Sequence, residues 1–155
     1  MRVRLITVSQ RQPRWVQEAC AEYEKRLPRA WQFQLVEVKP TARTSGADAA
    51  KVRREEAVRI RQALPKGALL VALDERGRAW STEQLAARVE QWQQLGRDLA
   101  LVIGGADGLE PALREAADHC LSLSPMVMPH GLVRVVVVEQ LYRVSTVIAG
   151  HPYHK

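Results

Sequence analysis

The 155-residue sequence predicts an α/β domain built on a mostly parallel sheet with helices on both faces. Three observations carry this. Short apolar runs alternate with stretches whose apolar residues recur every three or four positions, the order that alternating strands and helices produce. Two runs, residues 68–73 and 99–103, are continuously apolar, as central parallel strands covered on both faces must be. Several runs also open into small or polar residues, and ligands of open α/β sheets bind outside the carboxyl ends of strands. No repeat, linker or low-complexity stretch divides the chain, so residues 1–155 are expected to form one domain with a sizeable core.

Bulk properties narrow the class. Apolar residues make up 46% and charged residues 26% of the chain, which is ordinary for a globular protein. An excess of 23 Lys and Arg over 17 Asp and Glu gives a net charge of +6. That balance suits a polyanionic partner such as nucleic acid, and it also serves plain solubility. Cys20 and Cys120 lie within apolar patterns, with no CxxC and no Cys/His ligand spacing. They read as core thiols in a reducing compartment, and no metal is expected. Arg2 and Arg4 are not followed by an apolar signal segment, and no run approaches the roughly 20 residues of a membrane span. A cytoplasmic protein with no membrane partner is expected.

The elements follow in order. Val3, Leu5, Ile6 and Val8 mark a first strand. Pro13 opens a helix at a position where its missing N–H costs nothing, and Val16, Ala19, Cys20, Tyr23 and Leu27 give it one apolar stripe before Pro28 ends it. Residues 33–38 form a second strand. Residues 39–54 are a basic, turn-rich connection with Lys39, Arg43, Lys51, Arg53 and Arg54 around Gly46. It is equally a solvated face or a contact for RNA phosphates. A helix follows to about residue 64, broken by Pro65-Lys66-Gly67. The strand at 68–73 exits through Leu73-Asp74-Glu75. Ser81 and Gln84 have capping-box spacing for the next helix, and Gly96 ends it. Leu99–Ile103 is a strand, Pro111 starts a short helix, and residues 119–123 form the last strand. The segment 132–149 has β-branched residues but no turn signal, and few strands are that long. A helix is expected there, with an apolar surface wide enough for burial on two sides.

Three motifs invite chemistry. Gly104-Gly105-Ala106-Asp107-Gly108 follows a strand and admits close backbone approach by a ligand, although it lacks the dinucleotide and P-loop patterns and is otherwise a plain tight turn. The irregular loop around Ser122, Ser124, Pro125 and Pro129 has no nucleophile elbow and offers backbone groups instead. His119 reads as structural, and His130 as a residue that orients the last helix more than one that reacts. Tyr153, His154 and Lys155 put an aromatic face, an imidazole and a cation in three residues. Such a trio can stack on a base, exchange a proton and hold a phosphate, or simply fray.

The turn LVIGGADGL, the block LSLSPMVMPHGLVRVVVVEQLYR, the amino-terminal WVQEACAEYEKRLP and the terminal HPYHK together resemble the family of large-subunit ribosomal RNA methyltransferase H, over essentially the whole chain. Members are SPOUT-class enzymes that methylate N3 of pseudouridine 1915 in 23S rRNA. The resemblance implies a SPOUT fold whose C-terminal segment threads a deep trefoil knot, a homodimer, and S-adenosylmethionine as methyl donor. It implies a cofactor pocket at Leu73, Gly104, Gly105, Gly108, Leu123, Ser124, Pro125, Met126, Val127 and Met128. Val127 stands where the family often has Thr, and Gly131 where it has a bulkier residue. The substrate implied is 23S rRNA within the assembled 70S ribosome. On this resemblance His154 is the nominated proton acceptor, Tyr153 the stacking group and Lys155 a neutralising cation. Arg134 and Arg143 are expected to project toward RNA. A SPOUT enzyme acting on tRNA, and a non-catalytic module that docks on RNA or the ribosome, are the other functions compatible with these motifs.

Overall fold

The continuous apolar run Leu99–Ile103 becomes a strand buried along its whole length. In the computed structural model, which describes residues 1–43, 46 and 48–155, it is flanked by strands on both sides. The order in the chain is β1 (Val3–Val8), α1 (Arg14–Glu24), β2 (Gln34–Val38), α2 (Ala49–Ala63), β3 (Leu69–Ala79), α3 (Thr82–Gln94), β4 (Leu99–Ile103), α4 (Pro111–Ala116), β5 (His119–Ser122) and α5 (His130–Ala149). The sheet has the order β2-β1-β4-β3-β5, and every pairing is parallel. The expectation of a mostly parallel sheet thus holds in its strict form. Residues 44, 45 and 47 of the basic connection lie outside the described residues.

Alternation along the strands builds two cores. Val3, Leu5, Leu69, Val71, Leu99 and Leu101 face one side, with Val16, Leu85, Val89, Trp92, Val138 and Leu141 from α1, α3 and α5 packed on them. Ile6, Val8, Leu70, Ala72, Ala100 and Val102 face the other, with Ala57, Ile60 and Leu113 from α2 and α4. This two-sided covering explains why β4 has no polar alternation.

Local chemistry sets the helix ends as expected, with shifts of one or two residues. Asp48 caps α2 by accepting from the N–H of Ala50. The Ser81–Gln84 capping box is complete: Ser81 Oγ accepts from Gln84 N–H and Gln84 Oε1 from Ser81 N–H. Pro13 sits just before α1 rather than inside it, its carbonyl accepting from Val16 and Gln17. Residues 132–149 are helical, and α5 starts two residues earlier, at His130. Gly131 lets α5 close on α1, since a Cβ there would come within 2.7 Å of Gln12 Oε1 and 2.9 Å of Val16 Cγ2.

Two expectations need correction. The strand at 68–73 does not end at Leu73. It bulges out over residues 74–77 and resumes beside β5, so that Leu73 and Arg78 both register on Leu121. Gly77 makes the return possible, because a Cβ there would lie 2.5 Å from the Cys120 carbonyl oxygen. Cys120 is only half-buried, while Cys20 is buried with its thiol pushed up to about 11 by desolvation. No helix among the described residues is long and apolar enough to cross a membrane.

Leu101→Ala, at the middle of β4, should cost about 2–5 kcal/mol of stability through the cavity it leaves. Chemical denaturation measures this, and a loss under about 1 kcal/mol would contradict a central, close-packed β4.

Candidate active site

Three strand exits converge on one cleft. The bulge after Leu73, the glycine turn after β4 and the loop after β5 line a cavity of about 330 Å³, within the range of small-molecule sites. Leu73, Gly104, Gly105, Gly108, Leu123, Ser124, Met126, Val127 and Met128 all line it, as expected. Pro125, in the same loop, is not among the residues lining it.

The glycine turn owes its shape to close contacts. Gly108 donates its N–H to the Gly105 carbonyl at 2.9 Å and has a left-handed φ of +79°. A Cβ on Gly104 would lie 2.8 Å from the Gly108 carbonyl carbon. The turn is tethered from outside by an ion pair between Arg43 and Asp107. On the opposite wall Asp74 accepts from the backbone N–H of Arg76 at 2.8 Å and pairs with the Arg76 and Arg114 guanidiniums. The Arg76 hydrogen bond, above all, holds the Asp74 carboxyl below the usual carboxylate range. Beyond β5, Ser124 Oγ accepts from Met126 N–H, and Met126 and Val127 are 75% and 80% exposed. The mouth of the cleft is therefore apolar and open.

Sequence reasoning missed the layer behind the turn. Glu56, only 4% exposed on the core face of α2, accepts from Thr41 N–H at 3.0 Å. A Cβ on Gly105 would meet Glu56 Oε1 at 2.7 Å. His130 lines the cleft floor, and burial lowers its pKa, so the imidazole is neutral near pH 7. Arg53 Nε, Glu56 Oε1, His130 Nδ1 and Arg134 Nε are buried without a partner among the described residues; such atoms cost about 1–3 kcal/mol each when nothing satisfies them. Three of the four belong to residues around the glycine turn. One signal was available: Glu56 falls in the stripe Val52, Glu56, Ala57, Ile60, where a carboxylate is out of place.

The cleft suits the methyl donor that the resemblance implies. Its glycines expose backbone to a ligand, its walls are apolar at Leu73, Ile103, Leu121 and Val133, and charged groups stand at its rim.

The remaining predicted residues lie elsewhere. Arg134 is corrected: it does not project from α5 but is 2% exposed. Its guanidinium donates to Thr7 Oγ1 at 3.1 Å and Ser9 Oγ at 2.5 Å, and lies 3.7 Å from Glu37. It ties α5 to the ends of β1 and β2. Arg143 pairs with Glu139 at 2.6 Å and lies 4.9 Å from the centre of the Tyr153 ring. Tyr153 also packs on Tyr142, with ring centres 4.5 Å apart, and donates its hydroxyl to Glu139 at 3.3 Å.

The tail is ordered by a Schellman turn. Gly150 takes φ +72°, His151 N–H reaches the Thr146 carbonyl at 2.8 Å, and Gly150 N–H reaches that of Val147. His154 Nδ1 lies 2.7 Å from the His151 carbonyl oxygen, and Lys155 is exposed. None of residues 151–155 lines the cleft. The cleft meets the first turn of α5 and the tail follows its last, about 30 Å along a 20-residue helix. Among the described residues no cluster of His, Cys, Asp and Glu could hold a metal.

Asp74→Asn should remove a pH-dependent part of stability. Because the native pKa is depressed, the wild type exceeds the variant above about pH 4, and the gap closes as pH falls through the native value; denaturation at several pH values reads this. Arg134→Met should lose about 2 kcal/mol of stability, the worth of hydrogen bonds to a charged group. An unchanged melting temperature would contradict the inward role.

A family model described as "Predicted SPOUT methyltransferase" matches residues 1–154. Proteins named ribosomal RNA large subunit methyltransferase H from Burkholderia lata and Laribacter hongkongensis are 49% and 50% identical over 155 residues, covering 100% of this chain and 99% of each relative. A methylase family protein from Haemophilus influenzae Rd KW20 superposes with a TM-score of 0.63 at 15% identity, over 99% of this chain and 70% of that one. A structure described by its study of 2-OH methylation of C/U34 on tRNA gives 0.53 at 19% identity, over 96% and 97%; both likenesses speak to the fold. With a glycine-lined cleft at the carboxyl ends of an all-parallel sheet, the chain belongs to the SPOUT methyltransferase family, in its ribosomal RNA large subunit methyltransferase H branch.

Proposed function

We propose that the protein methylates N3 of pseudouridine 1915 in 23S rRNA, using S-adenosylmethionine and acting as a homodimer on the assembled 70S ribosome in the cytoplasm. The observation that carries the reading is the convergence of three strand exits on one cleft whose glycine turn leaves backbone open to a ligand. A SPOUT knot would bring these exits together.

S-adenosylmethionine supplies an electrophilic methyl group on a sulfonium. Leu73, Gly104, Gly105, Gly108 and residues 123–128 other than Pro125 would hold it, with the apolar Met126 and Val127 at the rim. The N3 proton of the base must leave. In this reading His154 takes it at Nε2, since an Nδ1–H directed at the His151 carbonyl oxygen, 2.7 Å away, leaves Nε2 free to accept. Arg143 and Lys155 neutralise the charge that develops on the ring, and Tyr153 gives the base its half-exposed aromatic surface while Glu139, Tyr142 and Arg143 hold it in place.

Cleft and tail lie at opposite ends of α5. One protomer therefore does not bring its own His154 to its own cleft. Two copies packed through α5 would set the tail of each beside the cleft of the other, and the residue that receives the proton would come from a second copy of the chain. With Arg134 turned inward, RNA contact falls to Arg143, Lys155 and the basic connection.

Labelled S-adenosylmethionine with unmodified 70S ribosomes, free 23S rRNA and bulk tRNA tests the reading. Label on 70S alone, mapped to N3 of one pseudouridine, is expected. Label on tRNA moves the enzyme to another SPOUT substrate, and cofactor binding without label anywhere supports the docking module. His154→Ala should lower turnover about 10²–10⁴-fold, the range of general base catalysis, with cofactor affinity unchanged. Full turnover in that variant removes His154 from the proton transfer.

A further inference from the structure

Five contacts link the glycine turn to the segment behind it. Glu56 Oε1 occupies the space that a side chain on Gly105 would need. Glu56 Oε2 accepts from Thr41 N–H at 3.0 Å. Arg59, three residues on, donates to the Lys39 carbonyl and to Thr41 Oγ1, both at 2.9 Å. Arg43 in the same connection pairs with Asp107 of the turn. The β2–α2 connection, the core face of α2 and the wall of the cleft are thus joined through one buried carboxylate.

We propose that Glu56 is a positioning residue for the methyl donor: its carboxylate fixes the Gly104–Gly108 turn from behind, in the shape that presents the turn's backbone to the cofactor. The inference rests on the reading that the cleft takes S-adenosylmethionine. Glu56 lies on the far side of the turn from the cleft and is not among the residues lining it, so it acts through Gly105 and not by contact. Its work is one of volume and of one accepted hydrogen bond. A glutamine fits both requirements: its carbonyl can serve Thr41, and its amide fills the same volume. An alanine meets neither. Conversely, a methyl on Gly105 has no room while Glu56 is present, and gains room once Glu56 is truncated.

The experiment is a double-mutant cycle on the full-length protein with Glu56→Ala, Gly105→Ala and both together, and Glu56→Gln as the conservative control. S-adenosylmethionine affinity is read by calorimetry, turnover at saturating cofactor by methyl transfer, and amide exchange of residues 104–109 in the protein without ligand. Each single alanine variant should weaken affinity about tenfold or more, while the pair loses less than the product of the two, as coupled neighbours do. Glu56→Gln should stay near wild type, and turnover at saturation should change far less than affinity in Glu56→Ala, as expected when ligand binding and not chemistry is disturbed. Exchange of the turn should quicken in Glu56→Ala and not in Glu56→Gln. Independent, multiplying effects of the two substitutions, or an unchanged turn in Glu56→Ala, would overturn the proposal. If Glu56→Ala does not fold, loss of affinity in Glu56→Gln equal to that in Gly105→Ala overturns it instead. A wild-type protein that fails to bind S-adenosylmethionine refutes the proposed function, and the exchange data still decide whether Glu56 shapes the turn.

Discussion

The backbone between Gly104 and Gly108 passes so close to its surroundings that a side chain on Gly104 would strike backbone and one on Gly105 would have to displace a buried carboxylate. Gly104 abuts Gly108 and Leu109, and Gly105 abuts the Glu56 carboxylate. The turn forms one wall of the cleft at the carboxyl end of β4, next to the bulge of β3, with the loop after β5 beyond it. Any larger residue would push the turn toward the ligand. The contact with Gly105 also explains a carboxylate on the core face of α2, a residue type rarely buried without a task.

Charge inside the domain is used in the same way. Arg134 holds the first turn of α5 to Thr7, Ser9 and Glu37, and Asp74 holds the β3 bulge through Arg76 and Arg114. Both are short-range ties between a strand end and the element beside it. The apolar cores fix the sheet, and the buried charges fix the edges of the site.

α5 serves two tasks at its two ends. Its first turn supplies His130 and Val133 to the cleft, and its last turn leads through Gly150 into a tail folded on Tyr142, Glu139 and Arg143. One protomer carries the cleft and the tail, and in the proposed reading the two parts of the site are kept apart by the length of one helix.

Much of this was legible in the sequence. The all-apolar run of β4, the capping box at Ser81 and Gln84, the glycine after α3 and the turn glycines after β4 each report a local rule: two-sided burial, an unsatisfied helix end, a backbone that must bend or be approached. The lining of the cleft could be read almost residue by residue, because strand ends and their loops are continuous in the chain. What only the tertiary structure decided concerns partners distant in sequence. The inward turn of Arg134 depends on Thr7 and Ser9, more than a hundred residues away. The bulge after Leu73 depends on β5 arriving beside it, and the place of Glu56 on Gly105. Periodicity reports which face of an element is buried. It does not report which distant group occupies the space next to that face, and it is that group which decides whether a charged side chain points to solvent or inward.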